Sequence, residues 1–287
     1  MHKEIRKICV VGAGNMGHQI AVCAALAGYR VTCCDVKEEA LRSAEAFADG
    51  YLPQRVSKGK LTQEEAETAR GNMEFTSDMR EAAGDADLVI EAATERLELK
   101  RSLFAQLDQI APPHAILATN SSFLVSSKVA DATRRPGKVC NMHFFNPALV
   151  MKLVEVVKGP HTEEETAQAC YEVAQRMGKE PVILQKEVYG FLVNSILNAI
   201  NRQAFFLADM GVATPQEIDK AVENGLNHPM GPFRLMDLTG IDMNYYQRLE
   251  RYQETQDPED APWPLLTEKW AKGEWGRKTK RGFYEYE

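Results

Sequence analysis

The chain has 287 residues, 44% of them hydrophobic and 26% charged, an ordinary balance for a soluble globular protein and enough length for two domains. Asp and Glu outnumber Lys and Arg by 41 to 34, a net charge of −7 that gives no sign of a nucleic-acid or membrane partner. No run is long and apolar enough to span a bilayer. The first strand also starts within about four residues, with no signal region before it. Six cysteines (Cys9, Cys23, Cys33, Cys34, Cys140, Cys170) fall in apolar segments without a CxxC pair or a histidine at ligand spacing. A reducing, cytoplasmic setting with no zinc or other metal site is therefore expected.

Taken in order, Ile5 to Val11 is a short β-branched strand that runs into Gly12-Ala13-Gly14-Asn15-Met16-Gly17 and then a helical pattern from Gln19 to Ala27. Gly28 stops that helix, and a second strand, Arg30 to Cys34, ends at Asp35. A GxGxxG alone is weak; strand, glycine turn, helix, strand and terminal acid in succession make a dinucleotide-binding unit. Gly12 suits a tight turn, Gly14 lets the backbone approach a pyrophosphate at the helix N-terminus, and Gly17 allows close helix–strand packing. Asp35 would accept from ribose hydroxyls and repel a 2′-phosphate, which favours NAD over NADP. A glycine-rich turn without a ligand is the plainer alternative.

Val36 to Lys58 reads as a long polar-faced helix, ended by Lys58-Gly59-Lys60 before a further helix, Thr62 to Arg70. Arg55, Lys58 and Lys60 make a local basic cluster, suited to a phosphorylated substrate or to nothing more than a solvated helix end. Met73 to Phe75, Asp87 to Ala92 and Ala115 to Ala118 are strands separated by helical patterns, which predicts a parallel, doubly wound α/β sheet. Ligands bind beyond the carboxyl ends of such strands, so Glu91, Glu95 and Lys100, and Thr119-Asn120-Ser121-Ser122, are placed at the functional rim. Glu163 to Met177 is helical and Glu180 to Gln185 a last strand. From Gly190 the pattern is helical: Phe191 to Met210, Thr214 to Asn224 with Thr214 as N-cap and Pro215 in the first turn, Gly231 towards Gly240, and Asp242 to Tyr252. Asn194, Asn198 and Asn201 share one side of the first of these. Gln253 to Pro264 reads as a loop, and the tail from Gly276 is basic, then aromatic. The domain boundary is set at 186, giving residues 1–186 and 187–287.

The chemistry is expected in Val139 to Gly159. A strand carrying His143 meets Asn146-Pro147, a turn signal, and then Met151 to Val157 alternates with Glu155 as its lone carboxylate. Strand, turn and strand bring Glu155 near His143, where a carboxylate fixes the tautomer and stabilises the imidazolium of a general base. Read blandly, the same residues are a satisfied core histidine and a solvent-facing glutamate.

VVGAGNMG, EAATERLELK at Glu91 to Lys100, TNSS at Thr119 to Ser122, HFFNP with MKLVEVV, GFLVN at Gly190 to Asn194, HPMGPF at His228 to Phe233 and KTKRGFY at Lys278 to Tyr284 occur in this order along almost the whole chain. In these motifs it resembles the L-3-hydroxyacyl-CoA dehydrogenase family, nearest in length to the bacterial 3-hydroxybutyryl-CoA dehydrogenases. The resemblance implies a Rossmann-type domain followed by a smaller all-α C-terminal domain that closes over the sheet rim and forms a homodimer. It implies His143 as catalytic base with Glu155 as partner and Asn146 in support of the histidine. Ser122 and Asn194 would lie against the substrate oxygen that gains charge, a contribution of about 2.7–4 kcal/mol per well-placed donor. It further implies NAD on Gly12, Ala13, Gly14, Asn15, Met16, Gly17, Asp35, Glu95, Lys100, Ser122, Asn146 and Lys278, and an acyl-CoA substrate whose CoA moiety meets Lys58. Two departures from the family pattern are Ser195, where Arg is usual, and His18, where a small residue is usual. An L-gulonate-type hydroxy acid dehydrogenase and a non-catalytic, crystallin-like NAD-binding protein are the alternatives; the four intact site residues and the lysine-bearing insertion at Val36 to Arg70 weigh against them.

Overall fold

A computed structural model describes residues 4–287. Two compact units divide between Leu192 and Val193. The first contains one eight-stranded sheet of β1 (Lys7–Val11), β2 (Arg30–Cys34), β3 (Met73–Thr76), β4 (Leu88–Glu91), β5 (Ile116–Thr119), β6 (Val139–Phe144), β7 (Leu153–Val157) and β8 (Glu180–Leu184), in the spatial order 3-2-1-4-5-6-7-8. Every neighbouring pair is parallel except β6 with β7. The order reverses between β1 and β4, which is where an open sheet of this kind opens a crevice at its carboxyl edge.

Residues alternate between the two faces of the strands, so each strand feeds two cores. Ile8, Val10, Val31, Ile90, Met142, Phe144, Val154 and Val156 pack on one face, against α1 (Asn15–Leu26), α2 (Glu38–Ser57), α3 (Gln63–Gly71) and, further along the chain, the helix Glu164–Arg176. Cys9, Val11, Val89, Leu117 and Val139 pack on the other, with α4 (Met79–Ala83), α5 (Leu97–Ile110) and α6 (Ser127–Ala130). The helix Glu164–Arg176 is α7. His143 and Asn141 share the face of Val139, since positions two apart point the same way. All six cysteines are buried free thiols; burial pushes Cys33 up to about 12 and Cys34 up to about 11, so neither is a ready nucleophile.

The sequence places most elements within a residue or two of where they form. Thr62 caps α3, and its side chain and that of Glu65 satisfy each other's backbone N–H groups. The helical pattern expected between the strands at Met73 and Asp87 forms only as the five-residue α4. Residues 187–192, grouped by the sequence reading with the second domain, pack on the first: Phe191, expected to begin a helix, is fully buried with a φ of 50°.

The second unit is all-α: α8 (Val193–Asp209), α9 (Pro215–Gly225), α10 (Pro232–Thr239), α11 (Ile241–Thr255) and α12 (Pro264–Ala271). Thr214 caps α9 with Pro215 in its first turn, as its sequence suggests. Part of the expected loop is structured instead. α11 runs on to Thr255, a 3₁₀ turn spans Pro258–Asp260, and α12 begins at Pro264, a proline suited to a first helical turn. Phe205, Phe233, Met236, Ile241, Leu266 and Phe283 form the core. Two buried aspartates fasten it. Asp219 accepts from the backbone N–H groups of Phe233 (2.9 Å) and Arg234 (2.8 Å), at the start of α10, and from the Tyr284 hydroxyl (2.7 Å). Asp237 accepts from Phe283 and Tyr284 N–H, both at 2.9 Å. Asp219→Ala strands three donors, that of Phe233 buried and those of Arg234 and Tyr284 part-buried, and is expected to cost about 2–4 kcal/mol of stability, measured by urea unfolding; a loss below about 1 kcal/mol would show that the donors find other partners.

Candidate active site

β6 and β7 pair antiparallel in a register that sets His143 opposite Glu155. The imidazole is 4% exposed and the carboxylate fully buried. His143 Nδ1 lies 2.8 Å from Glu155 Oε2, and Glu155 Oε1 accepts the Leu192 backbone N–H at 3.0 Å. A carboxylate only accepts, so Nδ1 carries a ring proton, and in the neutral ring Nε2 then holds the lone pair. That lone pair faces the Ser122 hydroxyl at 3.0 Å. Phe145 and Phe191 lie against the ring, with centroids 4.6 and 5.5 Å away, and hold its plane.

Ser122 follows β5 in an irregular segment. Ser121 Oγ donates to Glu95 (2.6 Å) and accepts from Leu124 N–H (2.9 Å). Asn120 Oδ1 accepts the Phe144 N–H at 2.9 Å, which ties this segment to the end of the histidine strand. Asn146 precedes a cis proline, and its Oδ1 accepts from Asn15 Nδ2 at 3.1 Å. The resemblance assigns Asn146 to the histidine; here its bond joins the histidine loop to the glycine turn.

Under this rim lies a closed network. Glu91 Oε1 accepts from Ala93 and Thr94 N–H (2.9 and 3.2 Å), while Oε2 accepts from Thr119 Oγ1 at 2.7 Å and from the Lys100 ammonium. Lys100 also donates to Thr119 Oγ1 at 3.1 Å. Glu91 and Lys100 were expected at the rim, with Lys100 touching the cofactor. Both lie at the carboxyl end of β4 and are buried, 0% and 1% exposed, where each charge meets the other out of water. The pair braces the turn after β4.

The glycine turn has the shape of a phosphate cradle. A Cβ on Gly12, whose φ is 104°, would lie 2.6 Å from the Ala92 carbonyl oxygen, and one on Gly17 would lie 1.7 Å from that of Gly12. A Cβ on Gly14 would meet nothing within 4 Å. The first and third glycines serve packing, and the second faces open space at the N-terminus of α1, which no side chain caps. Asp35 accepts from Ala13 N–H (2.8 Å) and Lys37 N–H (2.9 Å), so it braces the turn as well as ending β2. His18, one of the two departures, packs on Phe47 of α2 at 4.3 Å between ring centroids, and burial lowers its pKa. Lys58 is exposed at the end of α2.

Residues 7–188 match the family described as 3-hydroxyacyl-CoA dehydrogenase, NAD binding domain, and residues 190–286 match 3-hydroxyacyl-CoA dehydrogenase, C-terminal domain. The chain belongs to the 3-hydroxyacyl-CoA dehydrogenase family. Among relatives of this dehydrogenase, a probable 3-hydroxybutyryl-CoA dehydrogenase of Bacillus subtilis is 40% identical, with 99% of this chain and 98% of that protein aligned. A 3-hydroxybutyryl-CoA dehydrogenase of Mycobacterium tuberculosis is 38% identical over the full length of both. The crystal structure of (S)-3-hydroxybutyryl-CoA dehydrogenase from Ralstonia eutropha superposes with a TM-score of 0.92 at 36% identity, covering 99% of this chain and all of that one. Among the described residues no helix is long and apolar enough to cross a membrane.

The dehydrogenase's N-terminal unit thus holds His143, Glu155, Ser122, Asn146, Glu95, Asp35 and the glycine turn. Asn194 is the second residue of α8 and is partly exposed, and in the same C-terminal unit Lys278 is paired with Asp242. Asn141 and Glu187 went unnoticed in the sequence, although an Asn two positions before His143 in an apolar strand is a readable oddity. The cradle yields a contrast. Gly14→Ala should melt like the parent protein yet lose NADH affinity by at least about tenfold, since its methyl fills the space where a phosphate would approach. Gly17→Ala should also lose about 1–3 kcal/mol of stability. Equal NADH affinity in the parent and Gly14→Ala, read by fluorescence titration, would place the phosphates elsewhere.

Proposed function

We propose that this chain interconverts a (3S)-3-hydroxyacyl-CoA and its 3-oxoacyl-CoA, with 3-hydroxybutyryl-CoA and acetoacetyl-CoA as the preferred pair and His143 and Glu155 as the general acid/base dyad. The observation that carries the dyad is the bond of Nδ1 to a fully buried carboxylate, which leaves Nε2 as the base. Bound NAD accepts or supplies the hydride. The glycine turn would hold its pyrophosphate and Asp35 a ribose; Asn15 and Asn146, bonded to each other, and Glu95, bonded to Ser121, are assigned to the cofactor as well.

In oxidation, Nε2 takes the proton of the 3-hydroxyl as C3 becomes a carbonyl, and Glu155 balances the imidazolium. In reduction the imidazolium returns that proton to the 3-oxygen. Ser122, 3.0 Å from Nε2, donates to the oxygen as it gains charge, and Asn194 is assigned the same task from the C-terminal unit. Lys58 is assigned to the CoA phosphates and Lys278 to the cofactor. We assign the protein to the cytoplasm as a homodimer built from the helical unit, where Ile196 and Phe206 of α8 are each 55% exposed.

Purified protein is expected to oxidise NADH with acetoacetyl-CoA and not with free acetoacetate, and to prefer NADH to NADPH. His143→Ala is expected to lower kcat by about 10²–10⁴ while NADH binding is retained, and Glu155→Gln to lower kcat by a smaller factor. Undiminished turnover in His143→Ala would remove the dyad. Turnover of the free acid in place of the thioester would remove the CoA assignment.

A further inference from the structure

The segment that presents Ser122 leaves the sheet after β5 and does not regain regular structure until α6 begins at Ser127. Besides the Ser121–Glu95 bond, one side chain on the neighbouring strand holds it at three points. Asn141 is fully buried on β6, on the same face as His143. Its Oδ1 accepts the Ser126 N–H at 2.7 Å. Its Nδ2 donates to the carbonyls of Leu124 (3.0 Å) and Ser121 (3.3 Å). One amide therefore clasps both ends of the stretch 121–126, with its acceptor on an N–H and its two donors on carbonyls. An aspartate has the same shape but would set a carboxylate oxygen against those carbonyls, and alanine would leave them all unpaired.

Buried amides are costly unless satisfied, and here the satisfying groups belong to the loop that carries a site residue. The far end of the same loop has a second anchor: Glu187 Oε1 accepts from Ser126 Oγ (2.8 Å) and Ser127 N–H (2.9 Å). Glu187 holds only the α6 end, whereas Asn141 spans the residues on either side of Ser122. We infer that Asn141 is a positioning residue for the dehydrogenase reaction, acting by keeping the Ser122 hydroxyl on Nε2 of His143. The inference rests on the roles given above to Ser122 and His143.

The test is a double-mutant cycle on the full-length protein, with kcat and KM for acetoacetyl-CoA, NADH affinity by fluorescence, and thermal melting. Asn141→Asp and Asn141→Ala are expected to lower kcat on the order of 10- to 100-fold, the scale of a small misplacement of a reacting group, with NADH affinity changed less than about threefold. Added to Ser122→Ala, either change should lower kcat little further, because the group through which it acts is gone. A purely structural residue would lower melting temperature and leave kcat of the folded protein alone. Unchanged kcat in folded Asn141 variants, or losses that multiply in the double variant, would overturn the inference. Asn141→Ser is the third variant, and a chain that folds with none of the three would mark Asn141 as a folding residue and overturn it too. Full activity in Ser122→Ala would instead strike the reading of Ser122, and the inference with it; an impaired Ser122→Ala beside active Asn141 variants strikes the inference alone.

Discussion

The antiparallel pairing of β6 with β7, set into a sheet whose other pairs are parallel, is the constraint on which the candidate site depends. A parallel neighbour would need a long crossover before it could return, whereas reversal of direction lets two nearby segments lie side by side. Opposed residues in such a pair have Cβ atoms only about 4.5–5.5 Å apart, close enough for an imidazole to meet a carboxylate without backbone strain. A slip of one residue would turn Glu155 into the apolar face now filled by Val154 and Val156. The apolar neighbours of Glu155 therefore hold the register, and the register holds the tautomer.

Around that pair the polar groups form chains that reach the backbone of neighbouring loops. Glu155 reaches from the imidazole to the N–H of Leu192, the last residue of the first unit. Ser122 is supported through Ser121 by Glu95 and through the clasp of Asn141. Glu91, Lys100 and Thr119 secure the turn after β4, against which Gly12 packs with no room for a side chain. A buried ion pair contributes little net stability, and its value here is directional: Lys100 of α5 bonds both Glu91 and Thr119 and so holds the ends of β4 and β5 together at the carboxyl edge of the sheet.

The dinucleotide turn and the histidine pair are joined physically as well as by the sheet. Asn15, at the first residue of α1, donates to Asn146 beyond the histidine strand. That bond ties the glycine turn to the loop that follows His143.

Much of this was readable from residue order because it depends on local rules. Period-two apolar runs give strands, the GxGxxG spacing gives the turn, and Thr62 and Thr214 start helices by accepting the N–H groups of Glu65 and Glu217. The proximity of His143 and Glu155 was readable too, since a strand, a turn and a strand admit few arrangements. What remained closed were matters settled by residues distant in the chain. Whether Lys100 faces solvent or core is decided by Glu91 and Thr119, 9 and 19 positions away. Asn141 reads as one odd polar residue until the loop ends at Ser121 and Ser126 fold over it, 20 and 15 positions away. Phe191 reads as helix until the ring of His143 lies beside it. The sequence by itself determined the elements, their faces and the meeting of His143 with Glu155, because these follow from backbone geometry and spacing. Tertiary structure alone decided which polar groups are buried as partners and which are left to meet a ligand, because burial is a property of the packed chain and not of any stretch of it.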